Sequence, residues 1–533
     1  MSASMSDQST YSLTTPLYYA NDLPHIGSAY PTIAADALAR FQRMRGKSVR
    51  FVTGTDEHGQ KIERAAKSLG RTPQDHCDTI VPNFKRLWSQ LDIQYDHFIR
   101  TTDPRHAAIV KEFFGRVWDN KDIYLSRQQG WYCVSCEEFK EERELLEEHR
   151  CPIHPTKEVE WRDEENYFFR LSNYQEKLEK LYAERPEFIQ PTIRRNEVLS
   201  FVSQGLRDFS ISRINVDWGL PIPVDPAHTI YVWFDALLGY ITALLEDDQE
   251  PTLENAISKW YPFNVHIIGK DILRFHAVYW PAMLMSAGLP LPDRVFGHGF
   301  LVRDGVKMGK SSGNTIDPVR LVERYKADAV RYYFLKEIEF GRDGVFDEER
   351  FVNIVNADLA NDLGNLLNRT SKMVHKYFGG ELPDVEIPQD NPLRSIAEGL
   401  GERVAKFYDA LAFSNACEEI LTLVRMGNKY LDEQAPWSLY KKGDHEAVGQ
   451  ILYTVLESVR IATYLLSPIV PSVSTAIYQQ LGLSVDFSDS NLIDVSITFQ
   501  NQSRWGILRA KQALPDPSPV FQKLDFPSDE SSA

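Results

Sequence analysis

The sequence predicts an α/β protein: a Rossmann-like domain with a parallel sheet, an inserted zinc-binding domain, and an α-helical bundle behind them. Three observations carry that prediction. Strand–turn–helix units occur near the start of the chain and again around Val265, a cysteine-bearing acidic stretch separates them, and from Asn356 onward strand signals give way to long helical periodicities.

Taken in order, Tyr11 to Ala20 reads as an apolar strand, Asn21, Pro24 and Gly27 punctuate a turn, and Ala29, Ile33, Ala37, Phe41 and Met44 recur at helical spacing. Val49 to Thr53 is a second strand, running into the polar string TGTDEHGQ and another helix. This βαβα alternation favours a parallel sheet with helices on both faces. The region from Trp118 to Asp225 breaks the grammar with a cysteine cluster and an acidic run, Glu137 to Glu148. Ligands of doubly wound sheets bind beyond the carboxyl ends of strands at the switch point, so an insertion there overhangs the crevice. Val265 to Ile268 resumes the pattern, followed by a helix through Phe275, Tyr279 and Met283, and Asp304-Gly305 signals a hairpin. Leu359, Leu363, Leu366, Met373, Val374 and Tyr377 then form an apolar helical stripe. The expected division is 1–117 and 226–290 for the two halves of the Rossmann-like domain and 118–225 for the insertion. A hairpin and linker region takes 291–355, the helical bundle 356–513, and a loosely ordered tail 514–533.

Composition narrows the function. Hydrophobic residues at 43% and charged residues at 25% are globular averages, which excludes disordered and fibrous classes. No run approaches the roughly 18 to 20 apolar residues of a membrane span, so no membrane is expected. The opening MSASMSDQST has neither an apolar core nor an Arg-rich amphipathic pattern, so the expected compartment is the cytoplasm. A net charge of −16 repels polyanions overall, so any nucleic acid must be met by local basic patches.

Three of the five cysteines fall in one window: Cys133 and Cys136, then Cys151 and His154, spaced C-x2-C-x14-C-x2-H. Three thiolates and one imidazole on two knuckles suit tetrahedral zinc, and a closed set of four makes the metal structural, one per chain. His149 competes as a ligand but would break the second knuckle. Cys77 and Cys417 read as ordinary buried thiols. His25, Gly27 and Ser28 lie where the first strand meets the first helix, a place that attracts anions. Lys307 and Lys310, with Ser311, sit in a Gly/Ser segment and could clamp a triphosphate. Taken singly, H-x-G is a capped turn and two loop lysines serve solubility.

In combination and order, H-x-G after the first strand, an inserted domain and K-M-x-K-S after the last strand resemble the class I aminoacyl-tRNA synthetases. The stretches TPLYYANDLPHIGS, TGTDEHGQKI, YVWFDALLGY, IIGKDILRFHAVYWPAML, HGFLVRDGVKMGKSSGN and DEQAPW narrow the resemblance to the methionyl-tRNA synthetase family, from Tyr11 to about Ala513. The resemblance implies ATP held by Asn21, His25, Gly27, Ser28, Gly269, Lys270, Asp271, Lys307, Lys310 and Ser311, with His25, Lys307 and Lys310 in catalytic roles. It implies a methionine site of Leu17, Tyr19, Asp56, Trp233, Ala236, Tyr240, Ile272 and His276, and anticodon reading by Asn365, Arg369 and Trp437. Asn365, Arg369, Lys372 and Lys376 share one helical face, basic within an acidic protein.

The implied activity is ATP-dependent activation of L-methionine, with Mg2+ accompanying ATP, and transfer to the 3′-terminal ribose of tRNA(Met) by a monomer. This sequence departs from the family pattern at Ser28, where a second His is often found, at Gly309, where Ser is usual, and at Leu237, where Pro is often seen. Isoleucine, valine and leucine enzymes of the class carry a large editing insertion, for which about 110 residues leave no room. A cysteine-specific relative needs a thiolate near the first motif, and no Cys precedes Cys77. A zinc-bearing RNA-binding protein with an inactive synthetase fold would be free to lose His25, Lys307 or Lys310, and all three are present.

Overall fold

The computed structural model describes residues 9–134, 138–140, 142–152, 159–303, 306–308 (for 306 and 307 the backbone alone), 316–489 and 498–526. Tyr11 to Pro16 is buried without alternation, as a strand covered on both faces must be, and β1 (Thr10–Tyr19) lies inside a six-stranded sheet. On one side of it run β2 (Ser48–Asp56) and β3 (His97–Arg100); on the other run Val265–Gly269, Val295–His298 and Ile189–Gln190, all parallel. The strand order therefore reverses between β1 and Val265–Gly269, and a crevice opens beyond their carboxyl ends. The helix α1 (Ile26–Met44) leaves β1 at this crevice and is buried along nearly its whole length.

Two boundaries differ from the sequence reading. Ile189–Gln190, inside the expected insertion, returns to the main sheet and pairs with Val295–His298, which itself lies in the expected linker. Strands of two and four residues carry too few positions for a periodicity to be read, and only pairing reveals them. The rest of the insertion builds its own antiparallel sheet from Ile123–Cys133, Glu138–Lys140, Glu160–Phe169 and Phe209–Ser210. A cleft of about 1370 Å³ separates Trp131, Phe139 and Trp161 of this unit from Lys270, Asp271, Phe275 and Tyr279 of the main domain. Cys77 and Cys417 are fully buried, and burial pushes the Cys77 thiol up to about 12.

A hairpin of Leu301–Arg303 and Val306–Lys307 follows the sheet, with its 304–305 tip outside the described residues. Behind it stand the helices Glu348–Val355, Asn365–Phe378, Phe413–Gln434, Pro436–Lys441 and His445–Leu466. Leu359, Leu363, Leu366 and Val374 are buried as expected, while Met373 and Tyr377 lie at the edge and Leu367 takes an inner place. A π-helical segment, Asn356–Gly364, precedes this helix and shifts the phase of the stripe. The bundle is joined to α1 by buried charge. Asp36 takes Arg40 Nε at 2.7 Å and an Arg331 guanidinium nitrogen at 2.6 Å, and Arg331 donates onward to the carbonyls of Pro468 and Ile469. Burial raises the Asp36 carboxyl, and the two guanidiniums outweigh it, holding the group below the usual range.

The sequence reads 514–533 as a loose tail; through residue 526 the chain packs back instead. Leu514 donates to Gly380, Val520 and Phe521 join the core, and Leu524 exchanges two hydrogen bonds with Asn356 at the start of the bundle. A Pro-bearing stretch without periodicity hides such backbone pairing from sequence inspection.

Candidate active site at the switch point of the sheet

Parallel pairing sets Leu17 opposite Gly54 and Tyr19 opposite Asp56, so three predicted pocket residues stand together at the carboxyl ends of β1 and β2. A bulge between Thr14 and Leu17, at Pro16 with no N–H to give to the ladder, re-phases β1 before it reaches them. The opposite wall is the helix Val232–Thr242, carrying Trp233, Ala236 and Tyr240. Gly239 lets this wall close, because a Cβ there would meet Leu17 Cδ1 at 2.6 Å. The helix runs unbroken through Leu237, so the missing proline does not interrupt it.

His276 completes the pocket. Its Nδ1 donates to the Ile272 carbonyl at 3.0 Å, which leaves Nε2 to accept the Tyr240 hydroxyl at 2.9 Å. Burial holds the ring's pKa down to about 4, so it is neutral at physiological pH. Trp233 stacks on Phe275 at 4.0 Å and meets His276 edge-on. Aromatic, uncharged walls of this kind take an apolar, polarizable side chain, while Asp56, 3% exposed, supplies a carboxylate at the end of β2.

On the other side of the switch point, His25 caps α1, its Nδ1 accepting the Gly27 N–H at 3.0 Å, so the neutral ring carries its proton on Nε2. A Cβ at Gly27 would lie 2.8 Å from the His25 ring. The glycine thus makes room first for the histidine, a reason the sequence did not suggest. Ser28 lies inside the first turn, buried, and is not the cap. Asn21 accepts His76 Nε2 at its carbonyl, 3.2 Å away. Gly269 ends its strand opposite His298, and Lys270 pairs with Asp343 at 2.7 Å. Asp343 also takes the Phe300 N–H at the foot of the lysine hairpin, so Lys270 and the hairpin share one anchor. Met308 is buried and bonded to the Leu301 carbonyl. For Lys307 the backbone alone is described, paired with Val302; Gly309, Lys310 and Ser311 lie outside the described residues. Tyr30 of α1 packs edge-on against His298 and Phe340, bringing the start of α1 and the base of the hairpin to one crevice.

Comparison with known proteins decides the family. Residues 11–158 and 141–371 match the family described as tRNA synthetases class I (M), and residues 389–526 match the anticodon binding domain of methionyl tRNA ligase. A methionine–tRNA ligase of Synechocystis sp. is 63% identical over 98% of this chain and 99% of its own length. The chain belongs to the methionyl-tRNA synthetase family. A chloroplastic/mitochondrial methionine–tRNA ligase of Arabidopsis thaliana is 53% identical over 97% of this chain and 83% of that protein. Among solved structures, Mycobacterium tuberculosis methionyl-tRNA synthetase in complex with methionyl-adenylate superposes with a TM-score of 0.90 at 42% identity, covering 96% of this chain and 100% of that one.

Two further expected sites belong to the inserted domain and the helical domain. Cys133 and Cys151 are fully buried, share one small cluster with Val159, Trp131 and Leu145, and are not joined in a disulfide. That convergence fits a thiolate-bound metal. Cys136 and His154 lie outside the described residues, and among the described residues no group of three ligands gathers. The His149 ring instead stacks on Trp131 at 4.1 Å. On the helical domain, Asn365 is exposed, an Arg369 guanidinium nitrogen lies 2.6 Å from Asp432, and Trp437 is 37% exposed. Tyr377 stacks on Tyr440 at 4.1 Å, tying the helix that carries Asn365 and Arg369 to the short helix that carries Trp437.

Sequence inspection missed the polar groups that fasten this site: Glu57, His58, His106 and Asp235. For Glu57, His58 and Asp235 the signal was in plain view as the EH of TGTDEHGQ and the Asp of VWFDALL, residues whose charge an apolar wall does not need, whereas nothing local marked His106.

Proposed function

We propose that the chain activates L-methionine with ATP and transfers it to the 3′-terminal ribose of tRNA(Met), in the cytoplasm and as a monomer. The observation that carries this reading is the neutral Tyr240–His276 pair set in aromatic walls beside the Asp56 carboxylate. A thioether gains about 0.3 to 1.5 kcal/mol from each aromatic contact, and Asp56 would take the ammonium. The methionine carboxylate attacks the α-phosphate in line, forming the acyl–phosphate bond as the bond to pyrophosphate breaks. This step needs positioning and charge stabilisation and no strong base. His25 would donate from Nε2 to a phosphate oxygen, and Lys307 and Lys310 would hold the leaving pyrophosphate, with Asn21, Gly27, Ser28, Gly269, Lys270, Asp271 and Ser311 around the nucleotide. Magnesium accompanying ATP supplies neutralising charge on the phosphates. The ribose 2′-hydroxyl then takes the acyl group and AMP leaves.

Cys133, Cys136, Cys151 and His154 would hold a structural zinc, which supplies a cross-link to the inserted domain. Asn365, Arg369 and Trp437 would read anticodon bases by hydrogen bonds and stacking. A net charge of −16 favours a dispersed monomer. The deciding experiment is exchange of pyrophosphate into ATP without tRNA, run with methionine, leucine, isoleucine and cysteine. Exchange with methionine alone is the expected result; exchange with none, or with another amino acid first, overturns the proposal.

A further inference from the structure

Asp235 sits on the helix that carries Trp233, Ala236 and Tyr240, is 1% exposed, and is shared between His58, just past the end of β2, and His106, on the helix Pro104–Asp119. One carboxylate oxygen accepts His58 Nδ1 at 2.6 Å and the other accepts His106 Nε2 at 2.7 Å. His106 Nδ1 lies 2.8 Å from Thr242 Oγ1, two turns along the same helix, so one ring grips that helix twice. His58 follows Asp56 by two residues, and the residue between them is pinned from elsewhere. The Glu57 carboxylate takes Arg100 at 2.7 and 2.8 Å, and the hydroxyls of Thr55 and Thr102 at 2.6 Å each. Burial raises the Asp235 carboxyl, and the two imidazoles overcome it and hold it well below the usual range. A buried carboxylate of this kind needs both partners in place.

We propose that Asp235 is a positioning residue for methionine activation: through His58 it fixes the separation between Asp56, which takes the ammonium, and the Trp233–Ala236–Tyr240 wall, which takes the side chain. The inference rests on the functional reading above. A substrate held at both ends requires one separation of those walls, and slack of about 1 Å at such a site costs up to about a hundredfold. His58 is the joint that sets it.

The test is exchange kinetics on the full chain with position 58 varied. His58→Asn keeps an N–H donor near the Nδ1 position, His58→Gln carries its amide one carbon too far, and His58→Ala has none. The expected result is a methionine KM raised about tenfold by Ala and by Gln, an ATP KM unchanged, and most of the loss restored by Asn. Should the Ala variant fail to fold, Asn and Gln make the same comparison. Equal methionine KM values for wild type, Asn and Gln overturn the proposal and leave the activity standing. Parallel losses in both KM values with a lowered Tm for all variants also overturn it, making the cluster a folding element. Wild-type protein with no methionine-dependent exchange sinks the functional reading, and this inference with it.

Discussion

At the end of the parallel sheet, Asp56, Tyr240 and His276 are 3%, 2% and 1% exposed, whereas on the helical domain Trp437 is 37% exposed and Asn365 faces solvent. The pocket residues are tied to one another, Tyr240 to His276 and His276 to Ile272. The surface residues are tied to their supports, Arg369 to Asp432. A ligand of a few atoms must gain its affinity by being enclosed, so its walls are built before it arrives. A folded RNA brings its own area, so the protein side chains must project and remain reachable. Two such surfaces, one enclosed and one projecting, should fail separately.

Several substitutions would break or sharpen that contrast. The largest effect is expected at Lys310, whose proposed role is to hold charge that develops chiefly in the transition state. Lys310→Ala is expected to lower the exchange rate by about a hundredfold or more with Tm nearly unchanged, as rapid-quench kinetics and calorimetry would read. An unchanged rate removes Lys310 from the chemistry. Next comes the projecting surface: Trp437→Ala should leave exchange intact and lower kcat/KM for tRNA charging by about tenfold. Equal loss in both assays would make Trp437 an anchor for the helix Pro436–Lys441 and dissolve the contrast.

On the enclosed surface, Tyr240→Phe strips the buried His276 Nε2 of its donor. Methionine KM should rise about fivefold with tRNA KM unmoved. The smallest effect concerns the joint between the two regions, where burial raises the Asp328 carboxyl from 3.8 to about 6 and Val473 N–H donates to it at 2.6 Å. The folded chain then keeps a proton that the unfolded chain has released between those values. That contribution favours the fold at low pH and is lost as pH rises through about 6. Scanning calorimetry of Asp328→Asn should therefore show its Tm gaining on wild type by a few degrees between pH 4 and 6.5, then running parallel above. A constant offset would show Asp328 ionised throughout.

Legibility followed the physical scale of each feature. β1, β2 and α1 were visible because burial on both faces writes long apolar runs and because 3.6-residue spacing repeats over many turns. Ile189–Gln190 was not, since two residues have no period. The predicted pocket side chains were nameable through motifs. The Asp235 link from His58 to His106 was not, because its members lie 177 and 129 residues apart and nothing local marks them as partners.

The sequence alone determined the alternation of strands and helices, the inserted cysteine window, and which side chains carry charge or aromatic rings. Those are properties of neighbouring residues, set by local sterics and by the apolar surface each segment must hide. Only tertiary structure decided which of them meet. Parallel register placed Tyr19 beside Asp56, the absence of a Cβ at Gly239 let the helix wall approach Leu17, and return of the chain seated Leu524 on Asn356. Contacts between distant segments depend on the packing of the whole chain, and no stretch of it encodes them by itself.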